Sequence, residues 1–308
     1  MKFMYDFIII PISLALLYLG GEGALKGVLA FAKRFNLSSI LVSAVIIGFG
    51  TSLAELTVSI EAVLANAPEI AVGNIVGSNT ANILLVSAIA AMVSPIFLKD
   101  LNINREISVM LSATFLLLFF KYIDFLNIIT GSIFLTILVI YIIVSLKKGQ
   151  NGNVEPPPLP NMSFIKALIY CVVGVILLIT GGWLLVSSSI KVAQSFGISE
   201  AVIGLTVVAI GTAIPELTTT IIAALKKQND LIIGNILGSN IFNILGILGV
   251  TLLIKPVPVT EEMMNKGIWE MIAATILFVL ILKFTKSLNR IIASFMLISY
   301  VVYLSYLF

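Results

Sequence analysis

The sequence predicts an all-α integral membrane protein, with ten transmembrane helices arranged as two inverted five-helix repeats. Three observations predict it. Of 308 residues, 59% are hydrophobic and 11% charged, with a mean hydropathy of +1.15, whereas a soluble domain carries about 25% charged residues. Apolar runs long enough to span a bilayer recur along the whole chain. The chain also repeats itself at an offset of 161 residues, as from Gly50 to Gly211.

The first run, 4–32, is read as a span rather than a cleaved leader, because its Gly20-Gly21 matches Gly181-Gly182 in the repeat register. Runs at 39–63 and 70–98 carry the polar blocks described below, and runs at 106–122 and 125–146 complete the first set. Residues 147–162 then form a connector containing Lys147-Lys148 and Pro156-Pro157-Pro158, too short and proline-rich for a folded domain. A second set follows at 164–193, 201–225, 231–254, 267–284 and 289–308. The expected organisation is a first repeat at 1–146 with its motif at 48–84, the connector, and a second repeat at 163–308 with its motif at 209–245.

From Gly50 to Leu84, 17 of 35 positions are identical to the residue 161 further on, without a gap. Composition makes two apolar helices share Leu and Ile, but not Glu, Thr, Asn, Ser and Gly in register. An odd number of spans per half makes the second half enter from the opposite side, so the repeat is inverted. Assigned to alternate sides, twelve lysines and arginines, among them Lys33, Lys147, Lys226 and Arg290, stand against five: Lys2, Lys121, Lys191, Lys255 and Lys266. Cationic loops face the cytoplasm. The connector is therefore expected inside and both termini outside, in the cell (plasma) membrane.

Thr51 and Glu55 are four residues apart, as are Thr212 and Glu216, so each pair shares a helix face. Asn74, Ser78 and Asn82 form a second line, matched by Asn235, Ser239 and Asn243. Together these faces offer two carboxylates, hydroxyls and amides, and every donor is an oxygen. Hard cations take such sets: Ca²⁺ binds about 6–8 oxygens. A carboxylate in hydrocarbon is costly and marks a functional site by default. Glu55 and Glu216 supply about the charge that one divalent ion neutralises, and two like charges in an empty low-dielectric site invite Na⁺ or H⁺ in its place. Gly50, Gly211 and Pro215 allow local unwinding that turns carbonyls toward an ion. The pairs Gly73/Gly77 and Gly234/Gly238 have the spacing that lets helices approach closely.

At these residues the chain resembles the calcium/cation antiporter superfamily, and most of all its prokaryotic sodium/calcium exchangers. That family carries two copies of a Gly-Thr-Ser-x-Pro-Glu core and a Gly-Ser-Asn-x-x-Asn core. Here the copies are Gly50-Thr51-Ser52-Leu53-Ala54-Glu55 with Gly77-Ser78-Asn79-Thr80-Ala81-Asn82, and Gly211-Thr212-Ala213-Ile214-Pro215-Glu216 with Gly238-Ser239-Asn240-Ile241-Phe242-Asn243. The resemblance implies a midplane Ca²⁺ site at Glu55 and Glu216, helped by carbonyls near Thr51 and Thr212. It implies Na⁺ sites above and below that use Thr51, Ser78, Thr212 and Ser239, with Gly48 and Ala209 as carbonyl donors, and Ser52 as a further candidate metal ligand. Asn82 and Asn243 would line the centre, and access would alternate as the first and sixth helices slide across a fixed core. In two places the chain departs from the pattern. Ala54 replaces the proline, which predicts weaker unwinding in the first repeat, and Ala213 replaces the serine, which removes a hydroxyl. Asn243 stands where some relatives have Asp.

Secondary antiport of Na⁺ against Ca²⁺ is the leading expectation, with exchange of H⁺ for Ca²⁺ or another divalent cation as the alternative. Proton-coupled relatives usually show a Gly-Asn-Ala-x-Glu core, whereas Gly-Thr is retained here. No enzymatic activity and no cofactor is expected, and the expected partners are Ca²⁺, Na⁺ and the lipid bilayer. The net charge of +3 implies no nucleic acid, and no protein partner is implied. The absence of histidine excludes imidazole metal sites and a Ser–His pair. Asp6, Asp100, Asp124 and Asp230 lie near span ends and do not form the mid-span pair of an intramembrane protease. Cys171 is the only cysteine, so there is no disulfide framework. Side chains such as Thr57, Ser59, Thr218, Thr219 and Thr220 are expected to bond to their own backbone, and Glu22 and Glu61 to approach an interface or vestibule.

Overall fold

The structure, a computed structural model, describes residues 2–34, 48–98, 103–148 and 161–307. The start of the predicted span at 39–63 and most of the connector lie outside the described residues. The described chain is almost entirely helical, because an apolar segment must satisfy its backbone polar groups within itself. In chain order the helices are α1 (Lys2–Arg34), α2 (Gly48–Thr51), α3 (Leu53–Leu64), α4 (Pro68–Val93), α5 (Asn104–Tyr122) and α6 (Ile128–Lys148). The second set is α7 (Phe164–Phe196), α8 (Glu200–Thr212), α9 (Ile214–Leu225), α10 (Asn229–Ile254), α11 (Glu261–Phe284) and α12 (Arg290–Leu307). Two short antiparallel strands, β1 (Ile96–Phe97) and β2 (Ser287–Leu288), tie the end of α4 to the start of α12.

Among the described residues, seven helices are long and apolar enough to cross a membrane, and α8 with α9, bent by 42° at their junction, make an eighth. Helix α5 is not among them. It has 19 residues and carries Arg105, Glu106 and Lys121 near its ends. The 161-residue register survives in the backbone: α3 and α9 begin and end at matching positions, as do α4 and α10.

Burial separates a core from a lipid-facing wall. The most apolar windows of α4 and α10 are 83% and 89% buried, against 28–33% for α1, α6, α7 and α12. The two Gly-Ser-Asn blocks therefore sit on the two central helices. Both central helices widen into a π-helical stretch there, at Asn82–Val86 and Phe242–Leu248, a feature common at functional sites.

Lipid tails are as apolar as Leu, so the helices associate through close packing rather than a hydrophobic drive. Gly73 and Gly77 of α4 press against Gly204, Leu205 and Ala209 of α8. The repeat counterparts of Gly204 and Leu205, at 43 and 44, lie outside the described residues. Helices α1 and α7 touch backbone to backbone: a β-carbon on Gly174 would lie 2.5 Å from the Ala24 nitrogen and 2.8 Å from the Gly20 oxygen. Gly174→Ala is expected to cost about 1–3 kcal/mol through overpacking and to lower the thermal midpoint in a size-exclusion stability assay. Gly21→Ala, whose β-carbon would meet only Leu178 Cδ2 at 4.0 Å, should leave the midpoint unchanged. Equal midpoints for both would contradict the close α1–α7 contact.

Candidate cation-binding site

The site is built at the two helix breaks. Between α2 and α3 the backbone at Ser52 departs from helical geometry (φ −84°, ψ 13°), and between α8 and α9 Ala213 does the same (φ −77°, ψ 2°). The expectation of weaker unwinding in the first repeat is therefore corrected. Ala54 has the same break before it as Pro215, so the proline ring is not required for it. Each break leaves a carboxylate in the first turn of the following helix, Glu55 in α3 and Glu216 in α9.

Thr51, Ser52, Glu55, Ser78, Asn82, Ala209, Thr212, Glu216, Ser239 and Asn243 are all buried, and Gly48 opens α2. The breaks of one repeat face the central helix of the other. Thr51 Oγ1 donates to Asn235 Oδ1 at 3.3 Å, and Thr212 Oγ1 donates to Asn74 Oδ1 at 2.8 Å. Thr51 Oγ1 and Ser239 Oγ are 3.5 Å apart, and Ser78 Oγ and Thr212 Oγ1 are 3.3 Å apart. The Ala209 carbonyl joins the cluster, 3.4 Å from Ser78 Oγ and 3.3 Å from Thr212 Oγ1. Asn74 and Asn235 also brace α3 and α9: Asn74 Nδ2 donates to Ser59 Oγ (2.9 Å) and the Glu55 carbonyl (3.0 Å), and Asn235 Nδ2 donates to Thr220 Oγ1 (3.1 Å).

Ser59 and Thr220 therefore each receive an interhelical bond, while Thr57 and Thr220 also bond back to the carbonyls of Leu53 and Glu216. Sequence reasoning gave no separate role to Asn79 and Asn240. Asn243 Nδ2 donates to Asn79 Oδ1 at 3.0 Å, and Asn79 Nδ2 reaches the Asn240 carbonyl at 3.5 Å, which ties the two central helices together. Their recurrence within both blocks was the available signal.

Buried polar atoms in proteins are nearly always hydrogen-bonded. Here both Glu55 carboxylate oxygens, Glu216 Oε2, Asn82 Oδ1 and Nδ2, and Asn243 Oδ1 have no protein partner. Unpartnered oxygens around two negative charges, with no lysine or arginine among the bonded side chains, are the surroundings of a cation. No group of three or more His, Cys, Asp or Glu that could hold a metal ion occurs among the described residues, so the acidic side chains of this cluster are the Glu pair.

A cavity of about 420 Å³ leads from Lys226 and Gln228, past Thr218 and Thr219, to Gly50 and Thr51 at the edge of the cluster. Its opposite wall is α1, through Tyr18, Glu22, Leu25 and Lys26. Glu22 lies in this vestibule and pairs with Lys26 at 2.7 Å. Glu61 is half-buried on α3.

The geometry can be set beside known proteins. The chain is 34% identical over 256 residues to the uncharacterized membrane protein MJ0091 of Methanocaldococcus jannaschii, covering 82% of this chain and 83% of that one. It is 29% identical to the sodium/calcium exchanger MaX1 of Methanosarcina acetivorans, covering 98% of both. The fold is similar to that of the sodium-calcium exchanger NCX_Mj soaked with 10 mM Na⁺ and 10 mM Sr²⁺, with a TM-score of 0.68, 30% identity and 98% of each chain covered. The sequence pattern of the sodium/calcium exchanger protein family matches residues 5–147 and 166–308, nearly the whole chain and both halves of the repeat. Its two helix breaks, two buried carboxylates and duplicated Asn-Ser lines thus belong to a transporter, and the chain is a member of the sodium/calcium exchanger family.

Proposed function

We propose that the chain is a secondary antiporter that moves Ca²⁺ out of the cell in exchange for entering Na⁺. Its ten spans form two inverted five-helix repeats, 1–146 and 163–308. The plasma membrane holds it with both termini outside and the 147–162 connector in the cytoplasm. The observation that carries this reading is the pair of buried carboxylates, Glu55 and Glu216, with three of their four oxygens unpartnered inside a cluster that offers only oxygen ligands. Ca²⁺ bridges the pair, with carbonyls at the two breaks completing its shell. Hydroxyls of Thr51, Ser52, Ser78, Thr212 and Ser239, with the Gly48 and Ala209 carbonyls, serve the monovalent ions, and Asn82 and Asn243 line the centre.

One divalent ion or two monovalent ions neutralise the same pair of charges. The loaded site can therefore cross between its two exposures with little net buried charge, while the empty site cannot, and that coupling defines an exchanger. On the proposed orientation, the vestibule beside Lys226 and Gln228 opens the site to the cytoplasm.

The test is ⁴⁵Ca²⁺ uptake into proteoliposomes loaded with Na⁺, compared with K⁺ or choline loading and with an imposed pH gradient. Uptake that requires internal Na⁺ is the expected result. Uptake indifferent to Na⁺ and driven by a pH gradient would replace this reading with proton/calcium exchange.

A further inference from the structure

The vestibule is charged, and its charge does not follow the repeat. Three ionised side chains line the cavity, Glu22 and Lys26 on α1 and Lys226 just past the end of α9, so two cations stand against one carboxylate. Their counterparts 161 residues away are Trp183, Ser187 and Ala65, none of them charged, whereas Ile222 of the cavity is matched by Glu61. The packing keeps this correspondence. Gly21 lines the cavity, and a β-carbon there would meet only Leu178 Cδ2, at 4.0 Å. At its counterpart Gly182 a β-carbon would lie 3.0 Å from Thr57 Cγ2 and 3.5 Å from Glu61 Cγ. The α1–α9 face is thus open with an excess of one positive charge, while the α7–α3 face is closed over Glu61.

Lys26 Nζ lies 2.7 Å from the Glu22 carboxylate, and both side chains are a little under half exposed. The one acidic group lining this path therefore already holds a tethered counter-ion, which an arriving cation must displace. The local concentration of an ion depends exponentially on its charge times the local potential. A divalent cation therefore responds to a given fixed charge with the square of the factor that applies to a monovalent one. We propose that Glu22, Lys26 and Lys226 make this entrance a charge filter that favours monovalent over divalent cations, and that Glu61 gives the opposite entrance the reverse bias. The proposal rests on the antiporter reading, under which both faces lead to one site, and it assigns the difference between the two sides to named charges.

The experiment reads the vestibule potential without transport. In the full-length Cys171→Ser, Thr219→Cys chain, rates of modification by a cationic and an anionic methanethiosulfonate are compared, with Lys26→Met, Glu22→Gln, both or neither added. Exposed ion pairs add little stability, so these variants fold. A unit charge about 10 Å away across water changes a monovalent reagent's local concentration about twofold. The cationic-to-anionic rate ratio should therefore rise about fourfold in Lys26→Met, fall about fourfold in Glu22→Gln and return toward its starting value in the double variant, all differences shrinking as salt is raised. In proteoliposomes, Lys26→Met should lower the half-saturating Ca²⁺ concentration about fourfold on the vestibule side alone, and Glu61→Gln should raise it about as much on the other side alone. Equal rate ratios in all four chains, or a shift in the same direction in both single variants, would overturn the filter, and a half-saturation indifferent to Glu61→Gln would overturn the reverse bias. Rate ratios that move as expected in a chain that exchanges no Ca²⁺ would support the filter and overturn the antiporter reading.

Discussion

Replacing Glu55 or Glu216 by Gln is expected to abolish Ca²⁺ exchange and leave a folded protein. The substitution keeps the shape of the side chain and removes one of the two charges that face the ion. A pair of unit charges about 4 Å apart attracts by about 4 kcal/mol at an effective dielectric near 20. That is roughly a thousandfold in affinity, and a divalent ion feels more. Initial rates of ⁴⁵Ca²⁺ uptake should fall by at least about that factor, with the size-exclusion profile unchanged. Glu55→Gln should not unfold the chain, because neither carboxylate oxygen of Glu55 has a protein partner to lose. Glu216→Gln keeps an amide oxygen that can still accept from Ser52 and Ser239. Full exchange in both variants would remove these residues from the site.

The second large effect is expected in the vestibule. Cys171 is the only cysteine, so in a Cys171→Ser background a single cysteine at Thr219 can be labelled alone. Thr219 lines the cavity that leads to Gly50 and Thr51. A cationic methanethiosulfonate attached there places bulk and positive charge in a space of about 420 Å³. Labelling from the vestibule side should stop uptake almost completely, and the same reagent confined to the other side should leave it intact. Uptake unaffected by labelling from either side would mean that the cavity is not the ion path.

Much of this architecture was legible in the sequence because duplication writes the same polar residues twice. The match of Gly50–Leu84 with the residues 161 further on paired the α3 and α9 segments and the α4 and α10 segments, and it named both carboxylates. Residue identity was less informative about backbone bends. Ala54 suggested a weaker break than Pro215 gives, whereas Ser52 and Ala213 hold nearly the same dihedral angles. Local propensity is a weak prior when tertiary packing fixes the chain. The π-helical stretches after each Gly-Ser-Asn block were not visible either, since an added residue in a turn leaves no compositional mark.

Pairing across the repeats was the other hidden layer. Thr51 with Asn235, and Thr212 with Asn74, are reciprocal contacts between residues more than 130 apart. Hydrophobic periodicity within one helix cannot specify them. Glu22 was expected at an interface or vestibule, and it lines the cavity as an ion pair with Lys26. The loss of a hydroxyl at Ala213 was plain in the sequence. Only the geometry places Ser52 on the opposite repeat's carboxylate rather than on its own.

The central claim is that Glu55 and Glu216 share one divalent cation, and anomalous diffraction from crystals soaked in Sr²⁺ tests it most directly. A single strong peak between the two carboxylates, weakening as Na⁺ is raised, is the predicted result. A peak in the vestibule at Glu22, or none between carboxylates that have turned to bond with protein groups, would contradict it.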